Sequence, residues 1–323
     1  MTRICVFGAG AIGGYIGARL AMKGEAEVSL VARGAHLAAM QSNGLTLRQA
    51  GETHLVRPRV TDDPRALGPQ DFIILAIKAH GVQGVIGDLM PLIGRDTAIL
   101  FAQNGLPWWY FYGIGGPLEG TRLESVDPGG EIWNRLGPER AIGSVVWQAA
   151  ELEAPGVIAH HYGDRMPIGE PTGGKTARAS LLSGLLTAAG IKSPVRPNLR
   201  NEIWLKLWGN LSFNPVSVLT GGTLVDLATH PGTRRVIRAM MEEARAVAGA
   251  LGVSFAVDAE ERMDMAAKVG AHRTSMLQDV EAGRPTELEA LLGVVIELAG
   301  IVKIATPSLQ LVYDLCKFRC RKA

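Results

Sequence analysis

Three polar residues recur at four-residue intervals within an otherwise apolar stretch of the sequence. Lys206, Asn210 and Asn214 form one polar line if residues 200–219 are helical, because such spacings share a helix face. Most of their neighbours are apolar, so this helix is expected to be buried. Reduction of a ketone needs a hydride at carbon and a proton at oxygen. A buried ammonium can stabilise the growing alkoxide and then donate that proton.

The more ordinary interpretation of this line is the solvated face of an amphipathic helix. Two features count against it. Asparagine is a poor helix former, whereas solvated helix faces usually carry Glu, Lys, Arg or Gln. Pro215 also removes a backbone hydrogen bond and bends the helix beside Asn214. We therefore interpret the line as part of a ligand-binding cleft.

A glycine-rich segment near the N-terminus has the spacing of a dinucleotide-binding turn. It follows the apolar residues 3–7 and opens the helical pattern of residues 11–23, which is the required strand–turn–helix context. Gly8 permits the tight turn, Gly10 lets the backbone approach a pyrophosphate, and Gly13 lets the helix pack close to the strand. The helix N-terminus then offers free N–H groups to phosphate; the alternative is a glycine-rich turn without a ligand. The predicted cofactor segment is Gly8-Ala9-Gly10-Ala11-Ile12-Gly13.

Two basic residues lie where later predicted strands end. NAD-binding proteins usually carry Asp or Glu after the second strand to hold the ribose 2′-hydroxyl, whereas this chain has Arg33, which suits a 2′-phosphate. The predicted cofactor is therefore NADP(H). Lys78 follows the apolar residues 72–77, where it could reach the phosphate or ribose of the cofactor. The alternatives are a solvated surface arginine and an ordinary loop lysine.

The elements that would position these residues change character along the chain. Over the first hundred residues, short apolar runs alternate with helical stretches, which favours a parallel sheet with helices on both faces. Residues 141–147, 156–161 and 165–168 are predicted to extend this sheet, with a last strand near Ser193. The other predicted strands are residues 3–7, 27–31, 71–76 and 97–102, with helices at 11–23, 81–92 and 175–189.

From Asn198 onward the strand signals stop, and apolar residues recur at three- and four-residue spacing. We therefore predict an α/β protein of two domains. A doubly wound Rossmann domain over residues 1–197 would bind NADP(H), and an all-helical domain over residues 198–323 would carry the substrate and the catalytic residues. The helices of the second domain are predicted at residues 200–219, 232–251, 256–269, 286–299 and 307–317.

The bulk properties limit the partners of this chain. A net charge of +2 over 323 residues gives no basic field strong enough to favour nucleic acid. The longest apolar run, residues 290–304, is too short and too charged to cross a bilayer. Without a recognisable signal peptide, and with only three cysteines, the protein is expected in the cytoplasm. Cys316 and Cys320 would share a helix face but lack further ligands, so no metal site is expected. A homodimer is compatible with the sequence, which does not fix the oligomeric state.

Two further polar residues have ordinary structural interpretations when they are taken singly. Ser275 is suited to the N-cap of a helix. Glu287 is suited to a first helical turn, where Thr286 and Glu289 would form a capping box. Spacing alone favours these structural roles.

Taken together, the motifs resemble those of the ketopantoate reductase (2-dehydropantoate 2-reductase) family over nearly the whole chain. Singly the later motifs are modest signals, but their order and spacing are specific. The resemblance implies a Rossmann domain joined to a helical domain like that of 6-phosphogluconate dehydrogenase. The residues that carry it are the turn Gly8–Gly13, Lys78-Ala79, Gln103-Asn104-Gly105, residues 204–215, Ser275-Met276-Leu277-Gln278-Asp279 and Thr286-Glu287.

The resemblance also implies roles for individual residues in the reduction of a small 2-keto acid by NADPH. Lys206 would be the general acid, and Glu287 would bond near the nicotinamide ribose or the substrate hydroxyl. Asn104 would lie between cofactor and substrate. The remaining implied contacts are Asn210 and Asn214 holding the substrate, Ser275 binding its carboxylate and Ala150 lining the cofactor.

Two departures from the family pattern leave the substrate open. Asn104 is followed by a long stretch containing the aromatic residues 108–112, either an insertion packed on the sheet or a pocket wall or lid. Where the family often has Asn-Gly-Glu-Leu, this chain has Leu224-Val225-Asp226-Leu227, so one amide on the substrate side is missing. Reduction of ketopantoate to pantoate is the leading hypothesis. Reduction of another branched or aromatic 2-keto acid, and a non-catalytic NADPH-binding sensor, are the alternatives.

Overall fold

The computed structural model describes residues 1–321, and their backbone forms two compact units. The first unit comprises Met1–Gln103, Trp109–Arg122 and Gly130–Leu199. The second comprises Asn104–Trp108, Leu123–Gly129 and the chain from Arg200 onward. Among the described residues, no helix is both long enough and apolar enough to cross a membrane.

The first unit contains all the strands of the described chain. Their sequences are short and apolar, as expected for strands that helices cover on both faces. In chain order they are β1 (Thr2–Phe7), β2 (Ala26–Val31), β3 (Leu45–Gln49), β4 (Glu52–Val56), β5 (Arg59–Thr61), β6 (Gln70–Leu75), β7 (Ile93–Phe101), β8 (Ala141–Ser144), β9 (Ala149–Ala154), β10 (Val157–Tyr162) and β11 (Ile168–Gly169).

Helices occur in both units. The first five belong to the first unit, and α6 starts at its last residue, Leu199, and continues into the second. In chain order they are α1 (Ala11–Lys23), α2 (Gly34–Asn43), α3 (Val82–Leu89), α4 (Glu131–Leu136), α5 (Ala177–Ala188), α6 (Leu199–Thr220), α7 (Leu224–Thr229), α8 (Pro231–Ala250), α9 (Ala259–Val269), α10 (Ser275–Glu281), α11 (Val294–Val302) and α12 (Pro307–Cys320).

Seven strands form the main sheet in the order β11-β8-β7-β6-β1-β2-β5. All neighbouring pairs are parallel except β11 with β8. From β1 the chain order runs outward in both directions, to β2 on one side and to β6, β7 and β8 on the other, as in a doubly wound dinucleotide-binding sheet. Ligands of such sheets bind at the carboxyl ends of the strands near this point. The predicted α/β class is confirmed.

A second sheet, with the order β4-β3-β10-β9, corrects two expectations. Residues 156–161 were expected to extend the main sheet, but β10 pairs with β3, where Val157 lies opposite Thr46. An alternating pattern indicates a strand without indicating its partner, and this partner lies more than a hundred residues earlier in the chain. The expected strand near Ser193 reduces to isolated bridges, including that between Arg165 and Lys192.

Buried tryptophans fix α6 inside the second unit. Trp204 and Trp208 are fully buried. The Trp208 indole N–H donates to the Met241 carbonyl of α8 over 2.8 Å, and its ring stacks on Phe255 with centroids 4.4 Å apart. The prediction that this helix is buried is confirmed, so the polar residues on it occupy defined positions.

The segment before α11 differs from the predicted helix of residues 286–299. A π turn at Glu289–Gly293 precedes the regular helix. The expected capping box of Thr286 and Glu289 is wrong. The Glu289 carboxylate instead accepts a hydrogen bond from the Tyr313 hydroxyl of α12. The Glu289 carboxylate is therefore bound by a residue of another helix and not by the backbone at the start of its own helix.

Candidate active site

The glycine-rich turn joins β1 to α1 in the way that its spacing predicts. Gly8 has φ +96°, and a Cβ there would lie 2.5 Å from Cγ2 of Ile77. A Cβ on Gly13 would lie 2.0 Å from the Gly8 carbonyl oxygen, so only glycine allows this contact between helix and turn. A Cβ on Gly10, in contrast, would meet no atom within 4 Å. The face of the turn at Gly10 is therefore open to a ligand.

The start of α1 has the chemistry of a phosphate site. Gly10 is its N-cap and provides no side-chain cap, and the first turn contains no acidic residue. The first N–H groups of a helix have no partner within the helix and attract anions. Together with the open face at Gly10, these features fit the pyrophosphate of a dinucleotide.

Arg33 and Lys78 lie at the carboxyl ends of β2 and β6. Arg33 is the N-cap of α2, and its guanidinium is exposed 3.1 Å from the Asp88 carboxylate of α3. Such exposed ion pairs contribute little stability, so an incoming phosphate can compete for the arginine. Lys78 is partly buried, three residues beyond the end of β6.

His36 is a residue of this site that the sequence analysis missed. Its Nδ1 accepts the N–H of Gly156 at 2.9 Å, so the proton resides on Nε2, which donates to the Ala9 carbonyl at 2.7 Å. The imidazole thereby ties the glycine-rich turn to the β9–β10 connection. No motif marks this histidine, because its partners are backbone atoms far along the chain. Ala150, the predicted cofactor-lining residue, is half-buried in β9, the strand that precedes this connection.

The second unit brings three of the predicted residues into hydrogen-bonding contact. The Lys206 ammonium donates to the Asn104 side-chain oxygen over 2.6 Å. The Asn104 amide nitrogen donates to the Glu287 carboxylate over 3.1 Å. These partners fix the orientation of the Asn104 amide, since only its oxygen can accept from an ammonium. Asn104, Lys206 and Glu287 are called the Lys206 cluster below.

The electrostatics of the Lys206 cluster suit proton transfer. The Lys206 side chain is half-buried. Burial lowers the pKa of Lys206 to about 8, and the negative charge of Glu287 opposes this shift. A group with a pKa close to the pH of its surroundings is well suited to donate a proton and regain it.

Asn210 and Asn214 continue the line from Lys206 along α6. Asn210 is partly exposed, whereas Asn214 is only 6% exposed. The backbone carbonyl of Asn214 accepts a hydrogen bond from Ser217 at 2.7 Å, and the Ser217 and Thr274 hydroxyl oxygens are 2.5 Å apart. The start of α10 is thereby attached to the turn of α6 that carries Asn214.

Ser275 is exposed at the first position of α10. The interpretation of Ser275 as an N-cap is wrong. Thr274 has that role, since its hydroxyl accepts the Leu277 N–H at 3.2 Å. The Ser275 side chain is consequently not needed to cap the helix.

The aromatic segment that follows Asn104 is mostly buried. Trp108, Trp109, Tyr110 and Phe111 are each at most 3% exposed. Within the first unit, Trp109 packs over Gly143 of β8, where an added Cβ would lie 2.5 Å from the indole. For Trp109 this packing favours the structural alternative.

The parallel sheet, its glycine-rich turn and the helical second unit define the class of this protein as a nicotinamide-dependent oxidoreductase. A family model described as ketopantoate reductase PanE/ApbA matches residues 4–173, and the model of its C-terminal region matches residues 198–319. The chain belongs to the ketopantoate reductase family.

Individual relatives agree with this assignment. A 2-dehydropantoate 2-reductase of Mesorhizobium japonicum is 50% identical over 315 residues, which cover 98% of this chain and 97% of the relative. A Ralstonia solanacearum structure assigned to the ketopantoate reductases is 40% identical, covering 100% of this chain and 98% of the other, with a TM-score of 0.94. A solved 2-dehydropantoate 2-reductase of Methylococcus capsulatus is 31% identical, covering 98% and 96% of the two chains, with a TM-score of 0.82.

Proposed function

We propose that this protein reduces 2-dehydropantoate (ketopantoate) to pantoate with NADPH, and that Lys206 donates the proton to the ketone oxygen. The observation that carries the proposal is the Lys206 cluster, in a chain whose relative with 50% identity is named a 2-dehydropantoate 2-reductase. A bound reduced nicotinamide would supply the hydride. The protein's own side chains would then bind and orient the keto acid and provide the proton.

Within this proposal, the members of the Lys206 cluster have distinct roles. The Lys206 ammonium stabilises the negative charge that develops on the ketone oxygen and then donates its proton. Asn104 holds that ammonium through its oxygen. It would lie between cofactor and substrate. Glu287 supports the charged form of Lys206 and bonds near the nicotinamide ribose or the substrate hydroxyl.

The substrate would be held by the remaining polar residues of the second unit. Asn210 and Asn214, one and two turns beyond Lys206, would bond the polar groups of the keto acid. The exposed hydroxyl of Ser275 would bind the carboxylate. Short polar side chains on packed helices are suited to this task, since their rotamers are held by the surrounding structure.

The cofactor would be held by the first unit. Gly8, Ala9, Gly10, Ala11, Ile12 and Gly13 would bind the pyrophosphate through backbone N–H groups, and Lys78 and Ala150 would line the rest of the dinucleotide. The preference for NADPH is supported by Arg33, which stands where NAD-binding proteins place an acid.

A steady-state assay of NADPH oxidation across 2-keto acids tests the proposal. We expect ketopantoate to give the highest kcat/KM, with NADPH strongly preferred over NADH. A higher kcat/KM for phenylglyoxylate would point to the aromatic keto-acid alternative. Tight NADPH binding without turnover of any 2-keto acid would instead support the non-catalytic sensor.

A further inference from the structure

The π turn at Glu289–Gly293 lies two residues after Glu287 and changes the hydrogen bonding of the helix. The Val294 N–H, which a regular α-helix would direct to the Ala290 carbonyl, is directed to Glu289 instead. The Ala290 carbonyl accepts the Leu106 N–H at 2.9 Å. The π turn has therefore exchanged a bond within the helix for a bond to the Asn104–Leu106 loop.

The loop lies unusually close to this carbonyl. Gly105 has φ +93°, and a Cβ there would be 2.4 Å from the Ala290 oxygen. The neighbouring Asn104 is then within hydrogen-bonding distance of both Lys206 and Glu287. Asn104 belongs to no strand or helix, so this backbone contact of the adjacent residues contributes to holding its amide in place.

Three side chains fasten the π turn to α12. The Tyr313 hydroxyl is 2.8 and 2.9 Å from the two carboxylate oxygens of Glu289, which share its one proton. Lys317 donates to the Tyr313 hydroxyl over 2.5 Å and lies 3.1 Å from a Glu289 oxygen. Gly293 leaves room for the carboxylate in this position, since a Cβ there would be 2.3 Å from it. π turns are rare and geometrically unfavourable, so they persist where tertiary contacts hold them.

We propose that Glu289, Tyr313 and Lys317 are positioning residues, which hold the π turn so that the Ala290 carbonyl keeps Asn104 between Lys206 and Glu287. None of the three touches the Lys206 cluster in the described contacts, so they act through the backbone of the turn. The inference rests on the proposed function for its catalytic consequence. The arrangement of the Lys206 cluster can be measured without turnover.

The first test compares kcat for Tyr313→Phe and Glu289→Gln with that of Gln310→Ala. The control removes an exposed hydrogen bond of 3.0 Å between Gln310 and Asp314 on the same helix, which involves no residue of the π turn. Misplacement of a catalytic group by about 1 Å can cost roughly a hundredfold in rate, so we expect kcat to fall about ten- to a hundredfold in the two variants. The dissociation constant of NADPH and the control's kcat should stay at the wild-type values.

The second test follows the reaction of Lys206 with an amine-specific acylating reagent as a function of pH, using peptide mass spectrometry. When Glu287 no longer faces the ammonium through Asn104, its support of the charged form weakens. The midpoint for Lys206 should then move to lower pH in Tyr313→Phe and Glu289→Gln, in the same direction as in Glu287→Gln.

The pH midpoint for Lys206 is the decisive measurement for the positioning role, because it does not depend on the identity of the substrate. An unchanged midpoint, or one that moves to higher pH, overturns it, and so does an equal shift in Gln310→Ala. If wild-type protein reduces no 2-keto acid, the proposed function fails, while a shifted midpoint still supports the positioning role. Glu289→Gln keeps the size of the side chain and serves if Tyr313→Phe is poorly folded.

Discussion

The glycine-rich turn and the Lys206 cluster present their chemistry in different ways. The turn offers backbone N–H groups, and its essential feature is the absence of side chains at Gly8, Gly10 and Gly13. The cluster offers side chains, and its members lie 102 and 183 residues apart along the chain. One site is therefore encoded within six consecutive residues, whereas the other exists only after the chain has folded.

This difference predicts how each site fails. A substitution in the turn should change the backbone itself, so that cofactor binding is lost, in some positions together with stability. A substitution in the cluster should remove one chemical group and leave the fold and the cofactor site intact. The following predictions test this contrast, beginning with the largest expected effect.

Lys206→Ala should lower kcat by roughly 10²–10⁴-fold, the usual contribution of a positioned general acid. The dissociation constant of NADPH and the melting temperature should remain close to the wild-type values. Lys268→Ala, which removes an exposed lysine of α9, is the matched control. Small primary amines should restore part of the rate by entering the vacated space. Near-normal kcat in folded Lys206→Ala would make Lys206 a structural residue.

Gly13→Ala and Gly10→Ala should separate the two functions of the turn. At Gly13 the new Cβ would meet the Gly8 carbonyl oxygen at 2.0 Å, so overpacking should cost about 1–3 kcal/mol of stability. At Gly10 it would meet no protein atom within 4 Å, so the free protein should keep its stability while NADPH binds more weakly. Chemical denaturation and NADPH titration measure both effects. Equal destabilisation by the two variants would contradict the role assigned to Gly10.

Arg33→Ala should weaken NADPH binding by about 1.5–3 kcal/mol, the range for a charge-assisted hydrogen bond, and should affect NADH much less. Titration of the protein with each cofactor compares these losses. An equal loss for both cofactors would show that Arg33 does not contact the 2′-phosphate.

Asp88→Asn should have the smallest effect, in the opposite direction. Its carboxylate lies 3.1 Å from the Arg33 guanidinium and competes with an incoming phosphate. Removing the negative charge should tighten NADPH binding by less than about 1 kcal/mol, because exposed ion pairs are weak. Weaker NADPH binding in this variant would argue that Asp88 orients Arg33 rather than competing for it.

Local patterns in the sequence predicted the elements that local physics determines. The strand–turn–helix around Gly8 and the long buried helix that carries Lys206 are confirmed, since apolar periodicity and glycine spacing determine both. The assignment of residues 156–161 to the main sheet was wrong. The sequence of β10 indicates a strand but does not indicate that its partner is β3. The division into domains at residue 197 and the roles of the site residues remain predictions.

The parts of the site formed by residues close together in the sequence could be predicted, and those formed by distant residues could not. The line from Lys206 to Asn214 follows from spacing, whereas Asn104 and Glu287 came from resemblance to a family, since hydrogen bonds across 102 and 183 residues produce no periodic pattern. His36 and the π turn could not be predicted for a similar reason. His36 bonds to backbone atoms, which residue types do not reveal, and the π turn is held by side chains of α12 and by the Leu106 N–H, which come from distant parts of the chain.

The pH dependence of kcat/KM for ketopantoate, measured in wild-type protein and Lys206→Ala, tests the central claim most directly. The donor must be protonated, and the pKa of Lys206 is lowered to about 8. The wild-type rate should therefore be steady below that pH and fall as the pH rises through it. In Lys206→Ala the residual rate should lack this alkaline decline. If the same decline persists in Lys206→Ala, another group donates the proton and the proposed role of Lys206 is wrong.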